Sequence, residues 1–85
     1  MKTEYAVLTS LGTDRVGIME DIAEGVKAAG CNIEESRASV LGGEFAVIML
    51  LTGDASAVQK LIDAQAEFGD RYGLTVAIKA TVAPK

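Results

Sequence analysis

Between an apolar run that ends at Leu11 and an amphipathic pattern that opens near Ile18, the chain reads Leu11-Gly12-Thr13-Asp14-Arg15-Val16-Gly17-Ile18. Two glycines enclose a short polar stretch at a strand-to-helix junction, and that spacing suits the binding of a small anion. A helix start presents N–H groups with no partner inside the helix, together with a partial positive charge. Glycine lets a ligand come close to the backbone. A carboxylate would fit such a turn. A nucleotide phosphate is not expected, because the Gly-Lys-Ser/Thr ending of a P-loop is missing. Asp14 carries acceptor oxygens that suit an ammonium group, and it is equally suited to cap the helix that follows. A second polar candidate, Asn32, stands just beyond that helix, next to the sole cysteine, Cys31.

Other chemistries find few residues. The chain has no histidine, so His-based triads and His metal sites are absent. Ser10 and Ser36 have no evident base. Glu34-Glu35 reads as a solvated strand edge rather than an acid/base pair, and Cys31 as a small buried residue. Catalysis, a metal and a cofactor are therefore not expected. The net charge is −4, and the eight basic residues are scattered, which argues against direct nucleic-acid binding. No apolar run exceeds Phe45 to Leu51, far too short to span a bilayer. The first residues show no charged-then-apolar leader, and one cysteine allows no intrachain disulfide. A cytoplasmic location is the expectation.

The elements that must position these residues follow from periodicity. Tyr5 to Leu11 reads as a strand. Ile18, Ile22 and Val26 recur at helical spacing opposite Glu20, Asp21, Glu24 and Lys27, an amphipathic helix that Gly30 ends in a left-handed conformation. Asn32 to Leu41 reads as an edge strand with a bulge near Glu34-Glu35, after which Ser36, Ala38 and Val40 resume the inward alternation. Gly42-Gly43 is a hairpin turn, and Glu44 to Thr52 is the most central strand. Gly53-Asp54 stops that strand and caps a second helix with Val58, Leu61, Ile62 and Phe68 on its buried stripe. Leu74, Val76, Ile78, Ala80 and Val82 then give a last strand with one dry face.

This order predicts an α+β, ferredoxin-like βαββαβ sandwich: a four-stranded antiparallel sheet with two helices on one face. The 85 residues suit one domain, residues 1–82, with 83–85 as a tail or the start of a linker. Phe45 to Leu51 sends apolar side chains to both faces while helices cover one, so a homo-oligomer, most simply a dimer, is expected.

The pattern Gly12-x-Asp14-Arg15-x-Gly17-Ile18, followed one helix later by Ala29-Gly30-Cys31-Asn32-Ile33, resembles the ACT domain, a regulatory amino-acid-binding module. The run from Gly30 to Arg37, with Leu41-Gly42-Gly43-Glu44-Phe45 and Ile48-Met49-Leu50-Leu51, is similar to the N-terminal unit of a group of transcriptional repressors. That group carries two ACT units in one chain. Val16 stands where ACT domains usually have proline, which loses some preorganisation of the helix start but no ligand group.

The resemblance implies that a small amino acid, glycine or similar, lies between the first turn of one unit and the second strand of a neighbour. Gly12, Thr13, Arg15, Val16 and Gly17 would offer backbone N–H groups to its carboxylate. Asp14 and Asn32 would accept from its ammonium group, and Ile33 would anchor the strand that carries Asn32. The resemblance further implies control of a regulator of glycine or amino-acid metabolism through contact with a regulator protein or a second ACT domain. An ACT-fold oligomerisation domain without a ligand stays open as the other reading.

Overall fold

The computed structural model describes residues 3–84. β1 (Thr3–Thr13) alternates cleanly, with Ala6, Leu8 and Ser10 buried and Leu11 half exposed. It outruns the apolar stretch at both ends because its backbone pairs with β3 (Glu44–Asp54) all the way from Thr3↔Asp54 to Thr13↔Glu44. β3 alternates in step: Phe45, Val47, Met49 and Leu51 are buried, while Ala46 and Ile48 are exposed. β2 (Asn32–Leu41) and β4 (Thr75–Thr81) flank this pair, giving the order β2-β3-β1-β4 with all pairs antiparallel. Both apolar strands are central and both mixed strands are edges, as their patterning requires.

Three helices lie against the buried side. α1 (Ile18–Ala28) buries Ile18, Ile22 and Val26, the stripe its spacing predicts. Gly30 follows its last turn at φ 91° and donates its N–H to the Lys27 carbonyl at 2.9 Å. The second helical segment opens where expected: Asp54 is the N-cap, and its Oδ1 accepts from the Ala57 N–H at 2.8 Å. The segment is not one helix, however. It divides into α2 (Ala55–Asp63) and α3 (Gln65–Tyr72) at Ala64. Gln65 holds the break: its Nε2 donates to the Ile62 carbonyl at 2.9 Å, and its Oε1 accepts from the Ile78 N–H at 3.1 Å. A side chain thus ties the helix to the edge of β4, a long-range contact without periodic signature.

The core gathers β1, β3 and the helices, with Leu8, Ile22, Val26, Met49 and Leu51 its largest fully buried side chains. Gly25 is needed where α1 meets α3, since a Cβ there would fall 2.7 Å from the Phe68 ring carbon Cζ. The bulge in β2 is present as a register shift between Ile33 and Glu35. The Gly42-Gly43 turn has both residues at positive φ, 58° and 80°, the conformation that two-residue hairpins favour.

The edges correct two expectations. Ser36, Ala38 and Val40 keep the inward register opposite Met49, Val47 and Phe45, yet all three are exposed. Among the described residues nothing buries these three side chains, so phase and burial part company. Likewise, only Leu74, Val76 and Ile78 of the last strand reach cover; Ala80 is exposed and Val82 is 77% exposed.

Among the described residues, Ser10 Oγ is buried with no hydrogen-bond partner. A buried hydroxyl left unpaired forfeits its hydration without return, a cost of about 1–3 kcal/mol. Ser10→Ala is therefore expected to stabilise the fold by about 1 kcal/mol, read as a raised urea midpoint at unchanged slope.

Candidate functional site

The junction between β1 and α1 is a four-residue loop, Asp14 to Gly17, because the strand runs on to Thr13 and the helix waits until Ile18. This corrects the expected cap. Asp14 sits four residues before the helix and does not cap it; the N-cap is Gly17, left-handed at φ 84°, with no side-chain cap bond. Asp14 is exposed, and its N–H instead donates to the Gly43 carbonyl at 3.0 Å, pinning the loop to the β2–β3 hairpin. Gly12 also differs from expectation. It lies inside β1, and its missing Cβ makes room for the Leu74 side chain. Only Gly17 needs the freedom of glycine in the turn itself.

Arg15 is the strut of this loop. Its guanidinium pairs with the Asp21 carboxylate at 2.9 Å and donates to the Tyr72 carbonyl at 3.3 Å. One side chain thus joins the loop to the first turn of α1 and the last turn of α3, where a cation also complements the helix dipole. Val16 is 100% exposed at the tip. Among the described residues, no acceptor lies in hydrogen-bonding geometry with the N–H groups of Arg15, Val16 or Gly17.

The charges around these donors matter. Asp14, Glu20 and Asp21 stand at or near the helix start against the single cation of Arg15. A multiply charged anion would meet three carboxylates, whereas a zwitterion carries its own ammonium to offset them. The local charge balance at the loop is therefore negative, which disfavours a multiply charged anion.

Asn32 is exposed at the start of β2, and Ile33 beside it is half-buried against the core. The register places them far from the loop. Asn32 pairs with Thr52 and Thr52 with Tyr5, while Thr13 pairs with Glu44. From Tyr5 to Thr13 is eight strand steps, roughly 26 Å at 3.3 Å per residue. Within one chain the loop and Asn32 therefore occupy opposite ends of the sheet. Gly12, Thr13, Asp14, Arg15, Val16 and Gly17 come together; Asn32 and Ile33 do not join them.

Two features escaped the residue pattern. The Arg15–Asp21–Tyr72 strut depends on where α3 ends, and it had a local signal only in the i, i+6 pair of opposite charges. The other is a groove of about 550 Å³ on the uncovered sheet face, lined by Leu11, Ile48, Ala46, Ala77, Thr9 and Thr75 among others. The alternation of β1, β3 and β4 signals that face, but its concavity needs the register.

Cys31 is 2% exposed. Burial first, and the Asp54 carboxylate second, push its thiol above the usual range. The unfolded thiol ionises near pH 8.5, so this group's contribution to stability is level below that pH and declines as pH rises towards the folded value. Urea melts taken across this alkaline range should show the decline, and Cys31→Ala should remove that part of it.

A family model described as the ACT domain matches residues 4–79. The glycine cleavage system transcriptional repressors of Escherichia coli (strain K12) and Shigella flexneri are each 42% identical over 79 residues, 93% of this chain. The chain spans 42% of the length of these relatives. A solved structure of a candidate glycine cleavage system transcriptional repressor superposes with a TM-score of 0.91 at 33% identity, covering 100% of this chain and 49% of that one. An ACT domain protein from Streptococcus pneumoniae shares the fold, with a TM-score of 0.81 at 21% identity over 93% of this chain and 91% of its own.

Proposed function

The chain belongs to the ACT domain family, and from that premise we propose that it is a regulatory, non-catalytic unit that binds a small amino acid, glycine or similar, between two neighbouring units. The observation that carries this reading is the loop itself. Its three unengaged N–H groups are held in place by Arg15 and surrounded by carboxylates that a zwitterion's ammonium can satisfy. The carboxylate of the ligand lies on the N–H groups of Arg15, Val16 and Gly17, with Gly12 and Thr13 leading the backbone into the turn. Asp14 of the same unit and Asn32 of the neighbour accept from the ammonium, and Ile33 fixes the strand that presents Asn32. Because loop and Asn32 lie at opposite ends of one sheet, the site is completed only by a unit set antiparallel beside the first, so that a two-fold pair holds two such junctions.

Regulation follows from linkage. A ligand that favours the paired state stabilises it by RT ln(1 + [L]/Kd), about 2.7 kcal/mol at a hundredfold excess over Kd. The relatives are named as repressors of the glycine cleavage system, which supports a role in controlling a regulator of glycine metabolism through protein contact, in the cytoplasm and without direct binding of nucleic acid. The neighbouring unit is a second copy or a second ACT domain, with residues 83–85 as a tail or the start of a linker.

Calorimetric titration with glycine, serine and the branched-chain amino acids tests this. Heat is expected with at least one of them and is lost in both Asp14→Ala and Asn32→Ala. An equimolar mixture of the two variants should regain about a quarter of the wild-type sites: random pairing makes half of the pairs mixed, and each mixed pair holds one intact junction of two. Silence with every amino acid would instead favour an oligomerisation domain without a ligand.

A further inference from the structure

The uncovered face of the sheet carries a pattern that no helix of this chain uses. The register sets its side chains in rows across the strands. One row runs Lys79, Val7, Leu50, Glu35; the next Ala77, Thr9, Ile48, Arg37; the next Thr75, Leu11, Ala46, Ser39. The middle is apolar, with Leu11 and Ile48 each 49% exposed. The first row ends in a cation on one edge strand and a carboxylate on the other. Lys79 has no ion pair among the described residues, and Glu35 pairs with Arg37 through Oε1 alone, at 2.7 Å.

We infer that this face is closed by the same face of a second copy, related by a two-fold axis that runs parallel to the strands between β1 and β3. That axis sets each β1 against the partner's β3 and each edge strand against the opposite edge strand. Glu35 then faces the partner's Lys79, and by symmetry Lys79 faces the partner's Glu35, so two ion pairs bracket the apolar centre. Side-chain sizes match as well. Leu11 meets the partner's Ala46, Ile48 meets the partner's Thr9, and Val7 meets the partner's Leu50. The hollow lined by Ala46, Thr9 and Ala77 thus receives the two large side chains that stand proud beside it. Sheets packed this way lie about 10 Å apart with strands nearly aligned, a gap that facing Lys and Glu side chains bridge.

An axis perpendicular to the strands would reverse the row order and set Glu35 against the partner's Ser39 instead, leaving Lys79 without a facing carboxylate. Complementary charge at the rim fixes the register of such a contact more than its strength. This contact deepens the expectation of a homo-oligomer and stands apart from the amino-acid site, since the axis keeps both loops at one end and both Asn32 residues at the other.

Charge reversal tests the contact without any ligand, so its outcome is independent of the titrations above. Sedimentation equilibrium should find the unaltered chain dimeric at micromolar concentration. Glu35→Lys and Lys79→Glu should each weaken the dimer by about tenfold, since each alone sets like charges opposite one another twice. Mixed in equal amounts, the two variants should regain dimers of near-original affinity, because both facing pairs in the mixed dimer are again of opposite sign. A monomeric parent chain would overturn the inference, and so would a dimer that neither reversal weakens or that mixing fails to restore.

Discussion

The sheet is covered on one side only, and most of this molecule follows from that constraint. Phe45, Val47, Met49 and Leu51 go under the helices; Ala46 and Ile48 go to water. A strand has no choice in the matter, since successive side chains point to opposite faces. An apolar run in a central strand therefore supplies a core and an uncovered apolar face together. The helices then need a stripe rather than an all-round apolar surface, which is how α1 and α2 are written. In so small a domain the buried share of the surface is modest, so the face left open is a substantial fraction of what the fold has to offer.

The same one-sided cover explains why the candidate site residues lie at the ends of the sheet. A strand that must turn into a helix on one face leaves its junction at the sheet's end, outside the core. Asp14 to Gly17 is such a junction, and the N–H groups of Arg15, Val16 and Gly17 stay unengaged because neither sheet nor helix claims them. Arg15 braces the exposed loop. By bonding to Asp21 and to the Tyr72 carbonyl, it gives a mobile class of structure a fixed geometry, which lowers the ordering cost of any ligand it meets. Asn32 opens β2 at the far end for an equally simple reason. α1 carries the chain back along the sheet, so the next strand starts where the first began.

Much of this was legible beforehand, and the reasons are local. Strands β1 and β3 show in their apolar content, α1 in its i, i+4, i+8 spacing, and the hairpin in Gly42-Gly43. The bulge shows in the pair of glutamates that interrupts alternation. Where expectation and structure part, a distant contact decides. Asp14 looked like a cap because aspartate in that setting usually is one; pairing of Thr13 with Glu44 prolonged the strand and moved the helix start to Gly17. The second helix looked continuous because nothing in its sequence shows that Gln65 reaches the Ile78 N–H. Ser36, Ala38 and Val40 looked inward because their phase is inward, and only the tertiary structure shows them exposed.

By itself, then, the sequence determined the order and type of the elements, which strands are central, and the residues gathered at the first turn. Those properties rest on periodicity and on turn chemistry, both readable within a few residues. Tertiary structure alone decided the distance between that turn and Asn32, the strut that holds the loop, and the rows of side chains across the open face. Each of these depends on register, the pairing of residues far apart in the chain. A sequence pattern fixes which face a side chain takes, but only the paired strands fix its neighbours there.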